Sequence, residues 1–468
     1  MSERTLAVHS PYDGTVIGKV AVSTQADVEQ ALAVAHSIFR DRNQWLSKPK
    51  RIEILRHAAE LISARRVQIA TQAANEGGKP LKDSITEVER GIDGILSCVE
   101  VLRTEGGHVI PMGLNATSAN RVAFTQYEPI GVVAAVSAFN HPFNLIVHQV
   151  IPAIAVSAPV IIKPAANTPL SCQTLLAILA EAGLPKGWAQ MVLPTDNAIT
   201  SKLVSDPRVG FFSFIGSAAV GWMLRSTLAP GTRCALEHGG VAPVIVAADA
   251  DLDDALPRIA RGGFWHAGQA CVSVQRVFCH RSIAIEVAVR LGQLGNALMV
   301  GDPTSIYTDV GPLITEREVE RVGQWVDEAI TSGARLITGG RSLGHNCYAP
   351  TVLLHPLIDS NVMQKEVFGP VVMVYAYDDL ADVIKLANAL PFAFQAAVFT
   401  QDLDTAMQCY QNLDATAVMI NENTLFRVDW MPFAGARLSG HGVGGIPHTM
   451  KEMQVEKMMV WRSRAVPG

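Results

Sequence analysis

Residues 262–276 read Gly262-Gly263-Phe264-Trp265-His266-Ala267-Gly268-Gln269-Ala270-Cys271-Val272-Ser273-Val274-Gln275-Arg276. A segment with helical spacing ends in a thiol behind a Gly-Gln-Ala lead-in, and an apolar strand follows. Small residues ahead of Cys271 let another molecule come close to its sulfur. A thiol is the most nucleophilic neutral side chain and needs only a modest fall in pKa to act. Alone, the pattern belongs to a buried packing cysteine more often than to a nucleophile.

Features upstream and downstream change that balance. Leu236-Glu237-His238-Gly239-Gly240 sets a carboxylate before two glycines, 34 residues ahead of the thiol. Phe139-Asn140-His141-Pro142-Phe143 places an amide at the end of an apolar run. To these are added Glu76-Gly77-Gly78-Lys79-Pro80, Ile162-Lys163-Pro164, Ile215-Gly216-Ser217, Glu366-Val367-Phe368-Gly369-Pro370 and Met431-Pro432-Phe433-Ala434-Gly435. In this order and spacing, over almost the whole chain, the features resemble the aldehyde dehydrogenase superfamily.

Composition bounds the class. The 468 residues suit two or three domains rather than one core. With 49% hydrophobic and 17% charged residues the chain is globular, not disordered. A formal charge of −5 offers no broad basic field to nucleic acid. No basic start leads into an apolar segment, and no apolar run reaches about 20 residues, so neither a signal peptide nor a membrane span is expected. Seven scattered cysteines without a CxxC pair argue against a disulfide framework and a structural zinc site. Reduced thiols fit a cytoplasmic protein, and no metal is expected.

Residues 1–20 read as extended, with a turn at Pro11-Tyr12-Asp13-Gly14, and helices follow at Thr24–Phe39, Lys50–Ala74 and Leu81–Arg103. From Pro129 strands alternate with helices. Val132–Ala138, Val160–Ile162 and Phe211–Ile215 read as strands of one set, and Val244–Val246, Val272–Cys279, Val371–Tyr375, Ala396–Thr400 and Ala417–Asn421 as strands of a second. Such alternation predicts α/β architecture with parallel sheets, ligands binding at the carboxyl ends of strands. The resemblance implies a doubly wound, Rossmann-type cofactor domain (1–106 and 130–236), an α/β catalytic domain (237–439), and a β oligomerisation arm (107–129 with 453–468). Unpaired arm edges predict strand exchange in a homodimer or homotetramer.

The resemblance implies NAD(P)-dependent oxidation of an aldehyde to a carboxylate. Cys271 is the expected nucleophile, forming a thiohemiacetal and then a thioester. Asn140, with the Cys271 backbone N–H, is the expected oxyanion hole; it also suits the cap of the helix starting near Pro142. Glu237 is the expected base for the hydrolytic water, against a purely structural salt bridge. No GxGxxG is present. Gly216, Ser217 and Val220 lie where a strand meets a helix, a place for pyrophosphate. Lys163 resembles the lysine that contacts the adenosine ribose, and Glu366 and Phe368 the pair around the nicotinamide. Three other readings stay in view: a CoA-acylating enzyme, a Cys–His hydrolase using His266 or His280, and a binding protein on the same fold.

Three departures matter. Ala166 stands where many NAD-specific relatives carry Glu, so NAD and NADP both remain open. His238 and Val241 replace residues that are commonly Leu and Lys. Val443-Gly444 replaces a frequent Arg-Glu. For the substrate, Leu425–Pro432 and His141 resemble the branch of lactaldehyde, non-phosphorylating glyceraldehyde-3-phosphate and phosphonoacetaldehyde dehydrogenases. Arg90, His141 and Arg427 are then expected to form a cationic pocket for a phosphonate, phosphate, sulfonate or carboxylate, with phosphonoacetaldehyde-like anionic aldehydes first; the alternative is a neutral short aldehyde such as lactaldehyde. Otherwise Arg90 pairs with Glu87, and Arg427 with Asp429.

Overall fold

The computed structural model describes residues 4–466. Two mostly parallel sheets, each with one antiparallel edge strand, face each other across a deep cavity, and each is buried by helices on both faces. The first has six strands, in the order Gly440–His441, Arg233–Glu237, Val209–Ile215, Val132–Val136, Val160–Lys163 and Ala189–Met191. Only its Gly440–His441 edge is antiparallel. Val132–Val136 is buried at every position, the run of apolar residues expected of a strand covered on both sides. The second sheet has seven strands, ordered Arg335–Thr338, Thr351–Leu354, Val371–Tyr377, Val274–His280, Ala242–Val246, Gln395–Phe399 and Ala417–Ile420.

The alternation read from Pro129 onward corresponds to these two sheets. The expected helix Lys50–Ala74 is broken into Lys48–Ala64 and Arg66–Gly77, because Arg65 leaves the helical region. Residues 440–452, which no expected domain claimed, return to the first unit. There the helix Ile446–Glu452 packs on Leu81–Thr104 and Asn144–Ala155. The arm is a third sheet in which Gln454–Arg462 pairs along its full length with Arg121–Pro129. Residues 467–468 of the expected tail lie outside the described residues. Among the described residues, no helix is long and apolar enough to cross a membrane.

The Glu76 motif ties helices of the first unit together. Its carboxylate accepts from the Leu170 and Ser171 backbone N–H groups, both at 2.8 Å, and from the Ser171 hydroxyl. It thus satisfies the orphan donors at the start of Leu170–Glu181, where no cap residue does so. Burial pushes its pKa up to about 7 against those bonds. Glu76→Ala leaves buried donors unpaired and should cost about 1–3 kcal/mol. A lower urea midpoint reads that loss, and an unchanged midpoint would show that the cap carries no energy.

Candidate active site

All twelve residues singled out in the sequence line one cavity of about 1180 Å³ between the two sheets. Cys271 does not end a helix, as its spacing suggested. The helix Leu252–Phe264 stops, a 3-10 turn covers Trp265–Gly268, and Cys271 sits in the turn before Val274–His280. His266, Ala267 and Gly268 are all left-handed, with φ of +50°, +54° and +70°. Such strain at non-glycine positions persists only where the surroundings enforce it. At Gly268 a Cβ would collide with the Gly369 carbonyl, so the third position has to be glycine.

Buried side chains hold that turn. Asn140 Nδ2 donates to the Gln269 carbonyl at 2.9 Å. Gln269 Nε2 donates to the Pro312 carbonyl at 3.1 Å, and its Oε1 accepts from the Ile314 N–H at 3.0 Å. Thr424 Oγ1 donates to the Val272 carbonyl at 2.6 Å. Asn140 has a second amide hydrogen free, and among the described residues the Cys271 N–H has no acceptor. The thiol is half-buried. Burial pushes its pKa up to about 12, the Glu366 carboxylate adds to the rise, and Arg427 opposes it.

Glu237 ends the strand Arg233–Glu237. Burial raises its pKa, and Arg427 opposes that rise. Its carboxylate lies against Gly444, where any Cβ would collide with Oε1. The Arg-Glu to Val-Gly departure therefore leaves a niche that the Glu237 side chain fills. His238, the neighbouring departure, is buried. It donates Nδ1–H to the Leu438 carbonyl at 2.9 Å, and its Nε2 faces Gly221 with no partner.

The cofactor end fits a dinucleotide. Ser217 starts the helix Ala218–Arg225 without a side-chain cap, which leaves first-turn N–H groups free beside Gly216 and Val220. Lys163 ends its strand and, among the described residues, has no carboxylate partner, only a 3.4 Å contact to the Pro164 carbonyl. Glu366 Oε1 is buried without a partner among the described residues, an acceptor that suits a ribose hydroxyl. Its carboxyl rests on Gly239, where a Cβ would collide with it, and burial pushes its pKa up to about 8. Gln275 places this loop, donating to the Val362 and Lys365 carbonyls and accepting from the Val367 N–H at 3.0 Å. Phe368 stands edge-on to Phe139 at 5.8 Å.

The expected cationic pocket is corrected in two of its three members. Arg90 does not pair with Glu87. It forms a fork on Asp429, at 3.0 and 2.7 Å, which cancels its charge. Burial alone would raise the Asp429 carboxyl, but His148 at 2.8 Å and Arg90 hold it well below the usual range. His141 is not cationic, because burial and then Lys79 push its pKa well below the ordinary value. Arg427, unlike Arg90, makes no hydrogen bond to a carboxylate among the described residues. Its Nε is buried without a hydrogen bond, and the nearest Asp429 oxygen is 4.0 Å away. Its guanidinium lies 3.5 Å over the Phe433 ring.

Sequence reasoning passed over Lys79, His148, Gln269 and Gln275 as site residues, and weighed Asp429 only as a partner of Arg427. All five are buried polar groups with long-range partners, a signal that spacing does not carry. The raised thiol pKa has a measurable consequence. The thiolate reacts, so Cys271 alkylation by iodoacetamide in cofactor-free protein should climb about tenfold per pH unit from pH 7 to 9. A plateau below pH 8 would refute the assigned environment.

Residues 1–459 match the family model described as "Aldehyde dehydrogenase family". The chain is 36% identical to the 3-sulfolactaldehyde dehydrogenase of Priestia megaterium, over 97% of this chain and 94% of that protein. It is 32% identical to the lactaldehyde dehydrogenase of Methanocaldococcus jannaschii, over 98% of each. The crystal structure of a glyceraldehyde-3-phosphate dehydrogenase from Methanocaldococcus jannaschii, complexed with NADP, superposes with a TM-score of 0.94 at 31% identity. That match covers 99% of this chain and 100% of the other. The chain belongs to the aldehyde dehydrogenase family and is an NAD(P)-dependent enzyme of the α/β fold that goes with it.

Proposed function

We propose that this enzyme oxidises a small, singly charged anionic aldehyde, of the sulfonate or carboxylate class, to its carboxylate. The carrying observation is Arg427, a half-buried side chain whose buried Nε has no hydrogen bond among the described residues, in the cavity that holds Cys271 and close enough to lower the thiol's pKa. Buried guanidinium groups call for an anion. Arg90 with Asp429, and Lys79 with Glu87, cancel in pairs, so one positive charge is left to match. That favours a monoanion over a doubly charged phosphonate, and the 36% identical relative is named for a sulfonated aldehyde. None of the relatives named above points to phosphonoacetaldehyde, the first expectation from sequence.

Cys271 attacks the carbonyl carbon, and its proton leaves to solvent. Negative charge then grows on the aldehyde oxygen, where the free Asn140 amide hydrogen and the Cys271 N–H stabilise it; losing one such donor costs roughly 3 kcal/mol. Lys163, the Gly216–Val220 turn, Glu366 and Phe368 would hold NAD or NADP, which would supply the hydride acceptor that turns the thiohemiacetal into a thioester. Ala166 leaves no carboxylate to repel a 2′-phosphate. Glu237 takes a proton from water as that water attacks the resulting thioester, and the carboxylate product departs.

For the assembly, we infer a homodimer or homotetramer. Gln454–Arg462 is an edge strand with Met458, Met459, Val460 and Trp461 exposed. Light scattering at micromolar protein should give a multiple of the chain mass; a monomer refutes it.

The substrate reading is tested by kcat/KM for 3-sulfolactaldehyde, succinate semialdehyde, lactaldehyde and propanal. Arg427→Ala should cost about 2–5 kcal/mol of transition-state binding for the anions alone. Equal losses for propanal would sink it. Because Arg427 opposes the raised Glu237 pKa, the same variant should move the acid limb of propanal kcat to higher pH.

Two further variants examine the base. Glu237→Gln should keep a single-turnover burst of reduced cofactor while slowing turnover, and full steady-state rate would remove Glu237 from the role. Gly444→Ala closes the niche behind Glu237 and should change deacylation without changing the burst. A burst lost together with turnover would show instead that the substitution damages the site generally.

A further inference from the structure

The motif Glu76-Gly77-Gly78-Lys79-Pro80 takes no part in the proposed chemistry, yet its lysine reaches the cavity wall. Lys79 is fully buried. Its ammonium contacts Glu87 Oε2, lies 5.2 Å from the Trp265 ring centroid, and meets His141 Nδ1 at 2.9 Å. The other Glu87 oxygen accepts the Phe143 and Asn144 backbone N–H groups, each at 2.9 Å, at the start of the helix that follows Asn140. Burial lowers the Lys79 pKa, but the Glu87 side chain, which takes three donors, opposes that fall and keeps Lys79 as its ammonium partner. An ammonium has no lone pair, so His141 Nδ1 has to accept. A neutral imidazole then carries its proton on Nε2. Among the described residues Nε2 has no partner, and the half-buried ring lines the cavity with Arg427.

Resting on the anionic-aldehyde reading, we propose that Lys79 is a positioning residue for substrate recognition: its bond to His141 Nδ1 fixes the Nε2–H tautomer and presents a neutral donor to the anionic group that Arg427 binds. The arrangement adds a hydrogen bond to the head group without adding charge. It also places Glu87 at two tasks, one holding Lys79 and the other fixing the helix start beside Asn140. A histidine without Lys79 would divide between two tautomers, one of which turns a lone pair toward the anion.

The test measures kcat and KM for succinate semialdehyde and propanal at saturating cofactor. The wild type is compared with Lys79→Met, Lys79→Arg, His141→Gln, His141→Asn and the Lys79→Met/His141→Gln double variant. Gln carries its amide near the Nε2 position, and Asn near Nδ1. Lys79→Met should lower the succinate semialdehyde to propanal ratio of kcat/KM about 10- to 100-fold, the loss lying in KM. His141→Asn should lose as much. His141→Gln should keep the ratio within about fivefold, and in that background Lys79→Met should have little further effect, since the donor no longer depends on a tautomer.

An unchanged ratio in Lys79→Met overturns the proposal, as does a double variant that loses as much as Lys79→Met alone. Equal losses on both aldehydes would make Lys79 merely structural. If Lys79→Met does not fold, the contrast between His141→Gln and His141→Asn, with Lys79→Arg, decides. A wild type that does not favour succinate semialdehyde over propanal overturns the anionic reading, and the proposal with it. A wild type that does, beside insensitive variants, overturns the proposal alone.

Discussion

The 2.9 Å bond from Asn140 Nδ2 to the Gln269 carbonyl joins the two sides of the cavity. Asn140 belongs to the loop after a strand of the first sheet, and Gln269 to the turn before a strand of the second. Three successive left-handed residues bring the chain to that point, and they persist because Gln269 is bonded on both sides to the Pro312–Ile314 segment. A thiol presented from an open turn, rather than a helix end, keeps its own N–H free. The proposed oxyanion donors and the proposed nucleophile are thus set by the same few backbone bonds, and a small shift of either sheet would reach both.

Burial is the second constraint, and it acts on every ionisable group around the thiol. It raises Glu237, Glu366 and Cys271 and lowers Arg427 and His141. Desolvation favours the neutral form of each, so the charge that remains has to be matched locally. Asp429 takes up Arg90, and Glu87 takes up Lys79. Arg427 has no hydrogen-bonded carboxylate among the described residues, so its charge is available to whatever enters. Its nearness to Glu237 also couples substrate recognition to the group proposed as the base.

The strand and helix alternation was legible because buried parallel strands are continuous apolar runs, as in Val132–Val136 and Val160–Lys163. The residues around the cavity were legible through short motifs. Periodicity carries no information about the sign of φ, so the turn at His266–Gly268 was read as helix. Nor does it show partners far apart in the chain. Arg90 and Asp429 are 339 positions apart, and the nearer Glu87 was the natural guess from helix spacing. The guess failed because the Glu87 carboxylate is taken by Lys79 and by the Phe143 and Asn144 N–H groups, while Arg90 reaches Asp429.

Glycine explains what the motifs share. Gly239 and Gly444 carry no side chain where the Glu366 and Glu237 carboxylates lie, and Gly268 carries none where the Gly369 carbonyl passes. In each case a Cβ would occupy the position of an oxygen. The motif residues with chemistry on them therefore depend on neighbours chosen for having none. The Val443-Gly444 departure follows the same logic, since loss of a side chain at 444 is what gives the Glu237 carboxyl its place. A residue at that position other than glycine would require Glu237 to lie elsewhere, and the two positions have to be read as one unit.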